Sequence, residues 1–331
     1  MTCSSAGGAM MNEIIDDDNT VILKNLHVSD SIGNTLVSSS SITIERGEIF
    51  GLVGESGSGK TLTAKSLINL LPDDLKCSAD KMIVAGKNML EVSPREKKAH
   101  IGKNAGYIPQ NTVFFLHPMI KIKNQIADGF VDHSNKNKKE ALEKAEGILA
   151  KVGFLNPKSV LNYYPWQLSG GMRQRINIAM ALMNDPKLIV ADEPTTALDS
   201  TVQKQVMELF RSINEELNIS ILLISHDLGL VKNYSHSLAV MYAGVVVESG
   251  TTKSVFENPK HPYTQLLIDI IPTMKIKKTE PLAEIPGYVQ EKGRDTKGCL
   301  FRNRCPKAME ICETYVKEHE EDGHYYRCNL D

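Results

Sequence analysis

Long hydrophobic runs are missing from this chain. Its most apolar stretches, such as residues 221–224 and 245–247, are strand-sized, whereas a membrane helix needs about 18–20 apolar residues in succession. Charge of one sign is missing too: 38 basic against 40 acidic residues leave a net charge of −2. That excludes a chain-wide basic surface built to grip nucleic acid or anionic lipid, though not a local patch. The N-terminus lacks the basic and apolar regions of a secretory signal. Residues 1–19, rich in Ser, Gly and Asp, are expected to be a disordered leader, with Met10 or Met11 as candidate natural starts. Cysteine is scarce. Of six, Cys3 and Cys77 stand alone, and Cys299, Cys305, Cys312 and Cys328 fall in the last 33 residues. Without a signal peptide the expected compartment is reducing, which favours a metal site over disulfides. Internal repeats are absent.

What is present is ordinary globular material. The 331 residues are 41% hydrophobic with 23 glycines, enough to bury a core in about two domains. Residues 21–28, 41–44 and 49–53 read as strands, the last two joined by the turn Glu45-Arg46-Gly47-Glu48. Residues 61–71 read as a helix ending before Pro72. Residues 138–151 are helical, with Ala141, Leu142, Ala145, Ile148, Leu149 and Val152 on one face and Gly153 as C-cap; the lysines there form a solvated face. Residues 172–184 and 201–217 read as helices, and residues 188–191 and 219–224 as apolar strands. Strands alternating with helices predict an α/β fold with a mostly parallel sheet covered on both faces. Composition shifts at residue 251, where a domain boundary is expected.

The strongest motif is Gly54-Glu55-Ser56-Gly57-Ser58-Gly59-Lys60-Thr61. It fits G-x-x-x-x-G-K-[ST], in which glycines let backbone N–H groups converge on phosphate oxygens. Lys60 brings a point charge to the β/γ-phosphates, Thr61 a hydroxyl to Mg²⁺, and the helix that follows a positive N-terminus. An apolar strand before and a helix after complete the context. Further on, residues 188–191 lead into Asp192-Glu193. There Asp192 would hold Mg²⁺ and Glu193 would act as general base on the attacking water. Leu168-Ser169-Gly170-Gly171-Met172 runs into a helix carrying Arg173 and Arg175. Read blandly it is a helix N-cap; read chemically it is a second helix N-terminus suited to phosphate.

Taken in order, the phosphate loop, Gln110, residues 168–172, Asp192-Glu193, Ala197-Leu198-Asp199 and Ser225-His226-Asp227 resemble the ATP-binding subunits of ABC transporters. The resemblance covers residues 21–250. It implies a P-loop ATPase core with antiparallel β and helical subdomains (the latter at residues 111–175), followed by an extension at 251–331. Gln110 would sense Mg²⁺ and the γ-phosphate and signal to the membrane subunit. His226 would contact the γ-phosphate. Residues 168–172 would close the ATP held by a partner subunit, with Asp199 across that interface of a head-to-tail dimer. Two departures stand out. No Phe, Tyr or Trp precedes Phe50, and only His27 is planar, where the family often stacks adenine on an aromatic. Residues 111–118 carry two aromatics where relatives often repeat Asn-Pro.

The tail narrows the resemblance. Asn258-Pro259-Lys260-His261-Pro262-Tyr263-Thr264 is similar to the opening of the extension in oligopeptide, dipeptide and nickel importer ATPases. The four late cysteines are separated by five, six and fifteen residues, unlike ordinary zinc knuckles. Four thiolates suit Zn²⁺ or an iron–sulfur cluster. The resemblance favours a [4Fe–4S] cluster at Cys299, Cys305, Cys312 and Cys328, with Arg302, Arg304 and Lys307 offsetting the charge. It implies ATP and Mg²⁺ as ligands and integral-membrane permease subunits as partners. It also implies a second ABC ATPase (paralogue or self) and, indirectly, an extracytoplasmic substrate-binding protein, at the cytoplasmic face of the membrane. Peptides are the expected cargo and nickel the alternative. A soluble ABC ATPase on nucleic acid or ribosomes is the remote alternative.

Overall fold

A computed structural model of the chain describes residues 3–5, 18–111, 115–134, 136–271, 287 and 297–330. Its centre is a run of five parallel strands, β4 (Ile49–Val53), β8 (Ala105–Ile108), β9 (Leu188–Asp192), β10 (Ser220–Ser225) and β11 (Ser237–Tyr242), in the spatial order β11-β4-β10-β9-β8. All residues of β4, β9 and β10 are buried, the signature of strands covered on both faces. Alternate side chains feed two cores. Ile49, Val53, Ile189, Ala191, Ile221 and Leu223 face one; Phe50, Leu52, Leu188, Val190, Leu222 and Ile224 face the other. Burying each such side chain contributes about 1.5–3 kcal/mol, so Leu222→Ala, at 0% exposure, should cost about 2–5 kcal/mol.

Helices cover the first core. Among them α6 (Gly170–Leu182) buries Ile176, Ile178, Ala179 and Leu182, and α7 (Ser200–Leu217) buries Val206, Met207, Phe210 and Ile213. The region expected to be a helical subdomain contains α3 (Ile122–His133), α4 (Lys138–Lys151) and α5 (Pro157–Leu161); residues 112–114 of the 111–118 stretch lie outside the described residues. Helix α4 forms where its periodicity predicts. Asn137 and Glu140 make a capping box, Ala141, Ala145, Ile148 and Leu149 are buried, and Gly153 takes φ 94°, as a C-terminal stop requires. The second core is closed by an antiparallel sheet that includes β2 (Asn19–Ser29), β3 (Thr35–Glu45) and β6 (Lys81–Val84). Helix α1 (Lys60–Leu67) stops short of residue 71, because Asn69 turns left-handed at φ 56°.

Two expectations are corrected. Cys3 and Cys77 do not stand alone but form a disulfide. Within the leader expected to be disordered, Ser4–Ser5 form a strand, β1, that pairs parallel with β5 (Lys76–Ala79). Edge pairing at β5 gives this segment a partner that no local pattern announces. The disulfide also removes the cysteine-based argument for a reducing compartment. Residues 6–17, with both candidate start methionines, lie outside the described residues.

The boundary expected at residue 251 falls on the last residue of a strand. Strand β12 (Val245–Thr251) pairs antiparallel with β11. Its other edge receives β14 (His324–Arg327), with Glu248 opposite Tyr326, and β13 (Glu318–Glu321) follows. The extension thus builds onto the ATPase sheet and covers an edge that would otherwise be open. Among the described residues no helix is long and apolar enough to cross a membrane.

Candidate nucleotide site

Parallel pairing is what assembles the site. Ile108 lies opposite Ala191, Asp192 opposite Ile224, and Ser225 opposite Val53. Residues just beyond these strand ends therefore share one edge of the sheet: Gly54 after β4, Gln110 after β8, Glu193 after β9 and His226 after β10. Ligand sites of open parallel sheets form at this edge.

Residues 54–61 wrap into the expected loop. Gly54 and Gly59 adopt φ 148° and 102°, and a Cβ on Gly54 would lie 2.1 Å from the Met241 carbonyl oxygen. No other residue fits there. Gly59 is the N-cap of α1 and makes no side-chain cap hydrogen bond, so the helix presents bare N–H groups. Lys60 is 5% exposed. Its Nζ donates to the carbonyl oxygens of Gly54 and Glu55, each at 2.8 Å, and to Ser58 Oγ at 3.3 Å. Burial pulls its pKa below the usual lysine value, against the pull of the Glu193, Asp192 and Glu55 carboxylates. The ammonium thus braces the loop from within.

Thr61 Oγ1 donates to Asp192 Oδ1 at 3.0 Å, and the Tyr107 phenol donates to Asp192 Oδ2 at 3.2 Å. Burial raises the Asp192 pKa above the ordinary carboxylate value, while these two hydrogen bonds act to lower it. A hydroxyl and a carboxylate at the end of the loop form the oxygen-only donor set that Mg²⁺ prefers, so these residues fit the ion. When bound, Mg²⁺ neutralises charge that develops on the phosphates.

Glu193 Oε2 is the hub of the second half. It accepts from Gln110 Nε2 at 2.8 Å and from Thr196 Oγ1 at 3.0 Å, and it lies 3.2 Å from His226 Nδ1. Glu193 itself sits at φ 47°, a conformation costly for a non-glycine residue. That turn swings its carboxylate off the strand axis and into the site. A carboxylate so held can orient and deprotonate a water.

The remaining predicted site residues gather elsewhere. Ser169 Oγ caps α6 by accepting the Met172 N–H, and Asp199 caps α7 by accepting from Thr201 and Val202. The two caps are neighbours: a Cβ on Gly171 would lie 2.9 Å from Val202, and one on Gly170 3.6 Å from Leu198. Among the described hydrogen bonds, none joins residues 168–172 or Asp199 to residues 54–61. Sequence reasoning missed Tyr107 and Thr196. Each has a positional signal: Tyr107 lies on β8 beside Asp192's strand, and Thr196 lies one turn after Glu193.

The four late cysteines are corrected in part. Cys299, Cys305, Cys312 and Cys328 are unpaired in disulfides and line one small cavity together with Arg302 and Lys307. Burial pushes the Cys299 thiol up to about 11. Yet among the described residues no group of three or more His, Cys, Asp or Glu is placed to hold a metal ion. The geometry therefore does not support the expected [4Fe–4S] cluster or its zinc alternative.

Comparison with known proteins agrees with the strand-end geometry. The ABC transporter family profile matches residues 37–196, and the profile of the oligopeptide/dipeptide transporter C-terminal region matches residues 247–312. The dipeptide transport ATP-binding protein DppD of Bacillus subtilis is 38% identical over 314 residues, covering 93% of each chain. This chain belongs to the ABC transporter ATP-binding family. DppD of Escherichia coli is 40% identical over 82% of this chain and 83% of its own. Among solved structures, cbiO1 from Clostridium perfringens, part of the ABC transporter complex cbiONQ, superposes with TM-score 0.64 at 24% identity. That match covers 73% of this chain and 92% of the other. As an ABC ATPase, the chain hydrolyses ATP.

Proposed function

We propose that this chain energises the import of di- or oligopeptides. The observation that carries the reading is the match of residues 247–312 to the oligopeptide/dipeptide transporter C-terminal region. Two relatives named as dipeptide transport ATP-binding proteins support it. The names of these relatives favour peptide over the nickel alternative.

In this reading residues 54–61 cradle the ATP phosphates, with Lys60 on the β/γ-phosphates. Thr61, Asp192 and Gln110 would hold Mg²⁺, which would offset charge on the phosphates. Glu193 takes a proton from the in-line water, His226 fixes the γ-phosphate, and developing charge is met by Lys60 and the loop N–H groups. Residues 168–172 and Asp199 act on the ATP of a second ABC subunit, a paralogue or a second copy, in a head-to-tail dimer. ATP binding closes the dimer and hydrolysis reopens it, switching integral-membrane permease subunits between orientations. The chain sits peripherally on the cytoplasmic face, an extracytoplasmic binding protein delivers cargo, and nucleic acid plays no part. The [4Fe–4S] reading of the extension keeps one support, the cavity that all four thiols share; their spacing speaks against it.

The test is transport. The chain, its permease and partner ATPase in proteoliposomes should take up labelled dipeptide only with ATP, and Lys60→Ala should abolish uptake. Uptake of nickel but not peptide would overturn the cargo.

A further inference from the structure

The second residue of the glycine-rich loop is held from outside the ATPase core. Glu55 accepts two hydrogen bonds from Arg304, Nη1 to Oε2 at 2.7 Å and Nη2 to Oε1 at 3.0 Å. This is the fork-to-fork pairing that only arginine makes. The Glu55 N–H donates to the Tyr263 hydroxyl at 2.9 Å, and its carbonyl accepts from Lys60 at 2.8 Å. Both anchors come from beyond residue 251. Arg304 is only 5% exposed at its side chain and closes a one-turn 3₁₀ segment, Arg302–Arg304, that runs into Cys305. Its guanidinium lies 5.7 Å from the Tyr242 ring centroid and 6.0 Å from that of Phe301. Tyr263 is fully buried, its ring 4.7 Å from Tyr242 and 5.3 Å from Phe301. A buried aromatic box thus aims one cation and one hydroxyl at a single residue of the phosphate loop.

We propose that Arg304 and Tyr263 are positioning residues of the nucleotide site, through which the C-terminal extension sets the affinity for MgATP. Two effects combine. Glu55 is an anion in a loop that receives a polyanion, and Arg304 cancels its repulsion of the phosphates. The peptide units on both sides of Glu55 are fixed, one by Tyr263 and the other by Lys60, so the loop is ordered before nucleotide arrives. Both effects act equally on bound ATP and on its transition state. They therefore govern KM and leave kcat nearly untouched.

The inference rests on the reading of residues 54–61 as the phosphate loop. Lys60→Ala tests that reading separately: it should abolish MgATP binding, and normal binding would sink the loop assignment itself. For the inference, MgATP affinity and steady-state ATPase kinetics are measured on the full-length chain. Arg304→Ala should raise Kd and KM about tenfold with kcat within about twofold, and Arg304→Lys, keeping the charge but not the fork, should fall between. Tyr263→Phe keeps the ring and removes the acceptor, so it carries the test even where Arg304→Ala misfolds; it should raise Kd about threefold. In a Glu55→Gln background Arg304→Ala should cost less, because no carboxylate is left unpaired. An unchanged Kd in the Tyr263→Phe and Arg304→Lys variants, or an equal cost of Arg304→Ala in both backgrounds, would overturn the proposal.

Discussion

The Gln110 side-chain amide donates to Glu193 Oε2 at 2.8 Å across a separation of 83 residues. The contact exists because β8 and β9 pair in parallel with Ile108 opposite Ala191, so the two residues that follow the strands leave the sheet side by side. Thr196 and His226 reach the same oxygen. A base held by three neighbours needs no search for its working position, and its removal should affect chemistry rather than binding. Glu193→Gln is expected to bind MgATP within about threefold of wild type while kcat falls by about 10²–10⁴. Single-turnover hydrolysis beside nucleotide binding checks this. A rate within tenfold of wild type would assign the base elsewhere.

The Tyr107 phenol supports the other carboxylate, donating to Asp192 Oδ2 at 3.2 Å. Without it, buried Asp192 keeps Thr61 as donor but loses the group that fixes its second oxygen. Tyr107→Phe should weaken Mg²⁺ about tenfold, as loss of a supporting hydrogen bond to a metal ligand typically does, and leave magnesium-free ATP binding unchanged. Mg²⁺ titration of ATPase activity, paired with ATP binding in chelator, separates the two. An unaltered Mg²⁺ midpoint would reduce Tyr107 to packing.

Particular residues show how far the sequence could be read. Strand β4 and the loop after it were legible because an apolar run and a glycine-rich motif coincide within a dozen residues. Helix α4 was legible from its period and Gly153. Partners set by long-range pairing were not. Cys3 and Cys77 are 74 residues apart and join only because β1 adds to the edge of β5. Arg304 reaches Glu55 over 249 residues, which no local pattern encodes. The cut at residue 251 follows a change in composition and falls at the end of β12; what composition does not encode is that β14, from beyond the cut, pairs back onto that strand. The cysteine spacing located a cluster of thiols; it carried no information on whether their sulfur atoms converge.

Those thiols permit a direct test. The four cysteines border one cavity without three of them standing at ligand separation among the described residues. Metal entry must draw the segments together, since four thiolates bind only at a common centre. Protein purified without oxygen should therefore carry no stoichiometric iron and sulfide; finding both, with a visible absorption band lost in Cys305→Ser, would restore the cluster. Stoichiometric zinc without sulfide would convert the extension to a zinc site. A metal-free chain with full ATPase activity would leave the thiols as packing.

His261 supplies a prediction in pH. The ring is buried, and burial pulls its pKa from 6.5 down to about 4, against the neighbouring Glu248 carboxylate. Its Nδ1 accepts the Tyr263 N–H at 3.1 Å, a cap for α10 (Pro262–Asp269) that requires an unprotonated nitrogen. Above pH 6.5 the ring is neutral in folded and unfolded chains alike, and the contribution is fully present. Below 6.5 the unfolded chain takes up a proton that the folded chain refuses, so stability falls as pH approaches 4, by about 3 kcal/mol in all. His261→Asn keeps a side-chain acceptor at the cap and removes the titration. Its stability at pH 7.5 should drop through lost packing against Phe301, 5.9 Å away between ring centroids, while its decline between pH 6.5 and 4 should be shallower by about the same 3 kcal/mol. Urea unfolding of both proteins across that range measures the difference. Parallel declines would show that the acid sensitivity of this fold arises from other groups, and that the proton His261 excludes when folded is not the one that unfolds the chain.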